Sequence, residues 1–245
     1  MRVAGAKVLV VGGVRRLGRA IALDLASHGA AVVVSTRART GAADVQVAAL
    51  TAAGAPTAAL VEGDVRGAAD AAGLVAAART ALGGLDALVY AASGPFVPQP
   101  PQAIDEASWD ASMDTIAKGF FFSACAAHGL LSPGGVIVAI TDYLGLQPWA
   151  TFAAHGAAKA AEIHLVKELA RAWAPDGLRV CGVAPGPVDL DDDEHRAATL
   201  RAAARVATER LVAPADIGAA VRFCLETDGV TGVNVAVDNG SLVTS

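Results

Sequence analysis

Short runs of β-branched and aliphatic residues alternate along this chain with longer alanine-rich stretches. That alternation restricts the possible fold more than any other feature. The runs fall at 7–11, 31–36, 56–61, 85–90, 135–140, 178–183 and 233–237. Each is apolar throughout instead of alternating apolar with polar, the pattern of a strand covered on both faces. The stretches between them are long enough for crossover helices. Strand–helix alternation over a whole chain specifies an α/β, doubly wound parallel sheet of about seven strands. The crossovers are expected to be right-handed. Punctuation agrees: Gly29, Gly54, Gly83 with Gly84, Pro133-Gly134-Gly135 and Pro175-Asp176-Gly177 stand where helices should end and strands begin.

With 245 residues, no fixed-period repeat and no linker, the chain is expected to form one domain. A core of that size needs no metal or disulfide staple. Residues are 54% hydrophobic and 18% charged, which excludes disorder. No apolar run reaches the roughly 18 residues of a membrane span. A net charge of −5 argues against a nucleic-acid partner. Cys125, Cys181 and Cys224 are scattered and match neither a disulfide framework nor a metal spacing, so a reducing, cytoplasmic setting is expected. The first strand starts at Lys7, which leaves no room for a signal peptide. Pro95, Pro98, Pro100 and Pro101 make a stiff loop after the fourth run. The acidic stretch 189–194 reads either as a solvated helix start or as part of a small substrate lid near 189–210.

After the first run comes Gly12-Gly13-Val14-Arg15-Arg16-Leu17-Gly18, then an apolar helix from Ala20. Glycines at a strand-to-helix turn let the backbone approach a pyrophosphate, and the helix N-terminus offers free N–H groups to it. The second run ends Val34-Ser35-Thr36-Arg37. An acidic residue there suits a ribose 2′-hydroxyl, whereas a basic one suits a 2′-phosphate. Arg37, with Arg15 and Arg39 nearby, therefore points to NADP(H).

These motifs resemble the short-chain dehydrogenase/reductase family, most closely its pteridine-reductase-like and 3-oxoacyl-carrier-protein-reductase-like members. The family turn T-G-x-x-x-G-x-G reads Val11-Gly12-x-x-x-Arg16-Leu17-Gly18, with Arg16 replacing the middle glycine as in the R-L-G turn of pteridine reductases. The resemblance runs to Val237-Asp238-Asn239-Gly240, similar to the family's V-D-G-G ending. It implies a single-domain Rossmann-type fold. It also implies that Asp64, followed by Val65, meets the adenine. Ala91, Ala92 and Ser93 correspond to the end of N-N-A-S. Pro185-Gly186-Pro187-Val188 matches P-G-x-V, with the Val188 backbone on the carboxamide. A homo-oligomer, tetramer or dimer, is implied too, built through the fourth and fifth helices and the C-terminal strand region.

The family's reaction centre is altered. Its lysine is present as Lys159, where it would hold the nicotinamide ribose. Four residues earlier, the tyrosine that acts as acid is replaced by His155, and thirteen residues before that the serine is replaced by Asp142, as in pteridine reductases. The relay asparagine is Ile116, and N-N-A-G reads Tyr90-Ala91-Ala92-Ser93. If Asp142 lies beside His155, the pair could donate a proton near neutrality. A helix histidine also serves structurally, and Asp142 could be a simple turn cap. Gly94, Phe96, Tyr143 and Trp149 are expected to contact a small-molecule substrate; Tyr143, Trp149 and Phe152 either cover it, if it is flat, or serve core or subunit packing. Three readings stay open: reduction of a carbonyl or C=N group with NADPH, non-redox chemistry such as cyclisation, dehydration or isomerisation, and silent NADPH binding.

Overall fold

The computed structural model of the chain describes residues 1–94, 96–190, 196–204 and 206–244. Seven parallel strands run through these residues: β1 (Lys7–Val11), β2 (Ala31–Thr36), β3 (Ala58–Glu62), β4 (Ala87–Tyr90), β5 (Val136–Ile140), β6 (Arg179–Pro185) and β7 (Asn234–Val237). They form one sheet in the order β3-β2-β1-β4-β5-β6-β7. The helices between them are α1 (Arg16–Ser27), α2 (Gly41–Ala52), α3 (Ala68–Leu82), α4 (Glu106–Met113), α5 (Gly119–His128), α6 (Ala153–Trp173), α7 (Arg196–Ala203) and α8 (Pro214–Glu226).

Alternate residues of one strand feed two separate cores. Val8 and Val10 pack with Ile21 and Leu25 of α1, Leu50 of α2, and Ile217 and Val221 of α8. Leu9 and Val11 pack on the other face with Leu74 and Val75 of α3, Phe120 of α5 and Val166 of α6. Two-sided burial explains why the runs are apolar at every position. Each such side chain contributes about 1.5–3 kcal/mol.

Strand limits differ slightly from the apolar runs. β3 starts at Ala58 and not at Pro56, which has no N–H to give a ladder. β4 starts at Ala87; ahead of it the Leu85 carbonyl accepts from Ser132 N–H (2.8 Å), in the segment that leads into β5. β6 continues to Pro185, opposite Val237 of β7. Between α4 and α5, ahead of β5, the helical path passes through a π-turn at Asp114–Lys118. There the Tyr90 hydroxyl donates to the Thr115 carbonyl, and Ile116 is fully buried. A Cβ on Gly119 would sit 2.3 Å from that hydroxyl, so the bulky residue at 90 requires a bare residue at 119. The Tyr90 ring packs edge-on to Phe120, with centroids 5.7 Å apart.

All strands point the same way, so their carboxyl ends share one rim. β1 lies between β2 and β4, which makes its end the switch point where open α/β sheets bind ligands. Among the described residues no helix is long and apolar enough to cross a membrane.

Candidate active site

The turn after β1 is shaped by main-chain contact. Gly12 has φ +76, and a Cβ there would come within 3.0 Å of the Ala92 backbone. A Cβ on Gly18 would lie 2.3 Å from the Gly12 carbonyl oxygen. Two backbones thus touch where side chains have no room, and α1 begins directly against the rim. Arg16 sits at φ +51, the left-handed region where the family pattern has glycine. Leu17 packs on the core below. The N-cap residue Arg15 gives α1 no side-chain hydrogen bond, and the first turn carries no acid, an environment whose positive dipole end suits an anion.

The groups expected around this turn are not equally available. Arg15 and Arg37 are exposed, and neither side chain has a hydrogen-bond or ion-pair partner among the described residues. Arg39 is committed to Asp44, with N–O distances of 3.1 and 2.5 Å. Asp64 is held by Arg66, whose guanidinium grips both carboxylate oxygens and keeps the carboxyl below its usual range. Arg66 has no role in the sequence reading; its place two residues from Asp64 was the available signal. Val65 is buried in the core.

Ala91 N–H donates to the Val11 carbonyl (2.9 Å), and Ala92, Ser93 and Gly94 continue over the rim. A Cβ on Gly94 would meet the Ala111 carbonyl at 3.0 Å, so this loop lies against α4. Pro185 closes β6, and a Cβ on Gly186 would fall 2.8 Å from the Asp238 backbone. Val188 forms an isolated parallel bridge with Val212 through the Pro187 carbonyl and the Asp189 N–H. In that geometry the N–H and C=O of Val188 itself turn away from Val212. Of the lid expected near 189–210, positions 191–195 and 205 lie outside the described residues, as does most of the acidic stretch.

Asp142 and His155 meet. His155 Nε2 stands 3.0 Å from Asp142 Oδ2. The other oxygen, Oδ1, accepts from Leu144 N–H (2.9 Å), so the aspartate caps its turn and orients the imidazole at once. The turn is pressed onto α6 at Gly145, where a Cβ would lie 2.8 Å from the Lys159 carbonyl carbon. His155 is 5% exposed, and its Nδ1 is buried without a partner. Phe96 meets the imidazole edge-on at 4.9 Å and stacks on Phe152 at 4.4 Å. Trp149 follows at 6.3 Å from Phe152, and Tyr143 at 6.2 Å from Trp149. Gln99 N–H donates to the Thr151 carbonyl (2.8 Å), which ties the proline-rich loop to the start of α6 and brings Phe96 into this row. Burial and the Asp142 charge push the Tyr143 phenol above its ordinary value.

Lys159 is 3% exposed and points into the protein. Its Nζ donates to the Ile140 carbonyl (2.6 Å) and to Glu162 Oε2 (2.8 Å). The expected ribose contact therefore has to come from an ammonium already held by two acceptors. Glu162 is fully buried, and burial pushes its carboxyl up to about 7 against the pull of Lys159. Sequence reasoning passed over Glu162; an acid three residues after Lys159 in an otherwise apolar segment was the signal.

A family model described as enoyl-(acyl carrier protein) reductase matches residues 12–241. The chain is 35% identical over 241 residues to a cis-4-hydroxycyclohexanecarboxylate dehydrogenase of Sinomonas cyclohexanicum, covering 95% of this chain and 94% of that protein. It is 32% identical over 247 residues to 3beta-hydroxysteroid dehydrogenase 1 of Eggerthella lenta, covering 96% and 93%. Its fold superposes with a TM-score of 0.90 on a short chain dehydrogenase from Burkholderia cenocepacia solved in complex with NADP, at 30% identity over 99% of this chain and 100% of that one. With a matching family model across nearly its whole length, this chain belongs to the short-chain dehydrogenase/reductase family of oxidoreductases.

Proposed function

We propose that the chain is an NADP(H)-dependent oxidoreductase that reduces a carbonyl or C=N group of a small molecule. The observation that carries this reading is the Asp142–His155 pair at 3.0 Å with Nδ1 unpartnered. A buried polar atom without a partner costs about 1–3 kcal/mol, and a working group is the usual reason for retaining one. Asp142 accepts from Nε2, fixing the ring and stabilising its cationic form, and Nδ1 is then the nitrogen that hands its proton to the substrate oxygen or nitrogen.

The rim suits the cofactor. The glycine cradle at 12 and 18 admits main chain only, the first turn of α1 carries no acid, and Arg15 and Arg37 offer unpaired guanidiniums for a 2′-phosphate. Ala91, Ala92, Ser93, Pro185, Gly186 and the Val188 backbone would line its remaining length. When bound, the cofactor supplies the hydride. The aromatic row from Tyr143 through Trp149 to Phe96 excludes water from the imidazole and suits a ring-bearing substrate. The two relatives' names, a hydroxysteroid and a hydroxycyclohexanecarboxylate dehydrogenase, support ring ketones as the first class to test.

The pinned Lys159 favours a second reading, in which cofactor binds without turnover. One assay separates them: NADPH with a panel of cyclic ketones and imines, following absorbance and fluorescence together. Oxidation that falls as pH rises through the imidazole range supports the reductase. Binding without oxidation supports the silent reading, and a rate flat from about pH 5 to 9 removes His155 from the acid role.

A further inference from the structure

The reaction side of the crevice holds four ionisable groups arranged as two pairs. Asp142 faces His155 at 3.0 Å, and Glu162 faces Lys159 at 2.8 Å. Lys159 lies four residues after His155, so its ammonium stands one helical turn from the imidazole and meets a second cation whenever that ring is protonated. Two buried cations that close repel each other unless each has its own anion. Asp142 answers for one, and Glu162 answers for the other.

Stability alone gives Glu162 little reason to be there. A buried ion pair is often no better than apolar residues of the same volume. Glu162 Oε1 is moreover buried without a partner, which adds a further cost. Its surroundings are confined: Lys159 on its own helix, Asp142 from the turn after β5, and Tyr90 from β4, whose phenol is pushed up by burial and by the Glu162 charge. The last two act at longer range, while Lys159 is bonded directly.

We propose that Glu162 is a positioning residue of this site: its carboxylate neutralises Lys159 and holds that ammonium on the Ile140 carbonyl, which leaves the imidazole of His155 free to be the site's working cation. Burial raises the Glu162 carboxyl to about 7, so its charge develops across the range in which an imidazole ordinarily titrates. Once ionised, the Glu162 carboxylate sets a negative charge two helical turns from the ring and favours its cationic form by Coulomb attraction. Glu162 thus stands two turns beyond His155 on the same helix, bonded to the lysine between them.

This inference rests on His155 as the proton donor, yet its test needs no turnover. The histidine rings of the free protein are titrated by NMR from pH 5 to 9 in the parent, Glu162→Gln and Glu162→Asp, with His155 assigned through His155→Gln. Glutamine keeps the shape of Glu162 and removes its charge; two helical turns away in a partly polar interior, that charge is worth about half to one pH unit. The His155 ring should therefore titrate lower by that amount in Glu162→Gln, with His28, His128 and His164 unchanged. Glu162→Asp keeps the charge and should bring the midpoint back toward the parent. A folded Glu162→Gln protein whose His155 ring titrates as in the parent overturns the proposal, as does an aspartate variant that shifts as far as the glutamine one. Should the ring shift while no carbonyl substrate is reduced, the oxidoreductase reading fails and the role of Glu162 stands.

Discussion

The nucleotide side of the crevice, built by the turns after β1, β2 and β6, is made of backbone. The reaction side, built by the turn after β5 and the start of α6, is made of side chains. On the first, Gly12, Gly18 and Gly186 stand where a Cβ would run into main chain at 3.0 Å or less. A change there alters the path of the chain, and the family's pattern is correspondingly intact. On the second, His155, Asp142, Lys159 and Glu162 replace or surround the family's catalytic groups without moving the strands beneath them. The groups here are matched to one another: Asp142 orients His155, Glu162 holds Lys159, and Tyr90 fits over the bare Gly119 beside the π-turn. A scaffold defined by backbone contact can hold its ligand cradle constant while its chemistry drifts, even where His155 Nδ1 and Glu162 Oε1 stay buried without partners.

The largest effect should come from breaking the backbone side. Gly18→Val drives side-chain atoms into the Gly12 carbonyl, which costs about 3 kcal/mol of stability or more and abolishes NADPH binding in a fluorescence titration. A variant that binds normally would show that the turn is looser than its contacts say. On the other side, His155→Gln should lower kcat by about 10²- to 10⁴-fold while the Kd for NADPH stays within about twofold. If both fall together, the two sides are not separable. Arg37→Glu tests where the nucleotide side depends on a side chain after all. Preference for NADPH over NADH should drop by about 10- to 100-fold in paired Kd measurements.

Smaller effects probe the compensating sets. The Glu162 carboxyl is raised in the folded chain, so folding favours its protonated form. That contribution is fully present below its unfolded value of 4.5 and is lost as pH rises through about 7. The Tm should therefore decline from about pH 5 to about pH 8, and Glu162→Gln should remove the decline; an unchanged slope would assign it to other groups. Tyr90→Phe leaves the ring packing on Phe120 but takes the donor from the Thr115 carbonyl. It should cost about 1 kcal/mol in urea unfolding with no change in NADPH affinity.

The sheet and the backbone contacts along its carboxyl rim were legible because they depend on local chemistry. Apolar runs buried on two faces, glycines at main-chain contacts and Arg37 at the end of β2 each announce their surroundings through residue type. The interrupted helix was less legible, since Tyr90 reads as a lost asparagine until its hydroxyl is seen on the Thr115 carbonyl, 25 positions away in the chain. Arg39 and Asp64 show the same limit. Both read as cofactor groups, and both are engaged within the protein by Asp44 and Arg66.

By itself the sequence determined the α/β alternation, the order of the motifs and the polar groups they carry, because strand burial and turn geometry are set by residue type and short spacing. Only the tertiary structure decided which of those groups meet. Asp142 and His155 are thirteen positions apart and on different elements until Gly145 seats the turn on α6, and Lys159 turns inward because Ile140 and Glu162 offer acceptors there. Charge pairing inside a fold acts through distance in space, and spacing along the chain carries only part of that information.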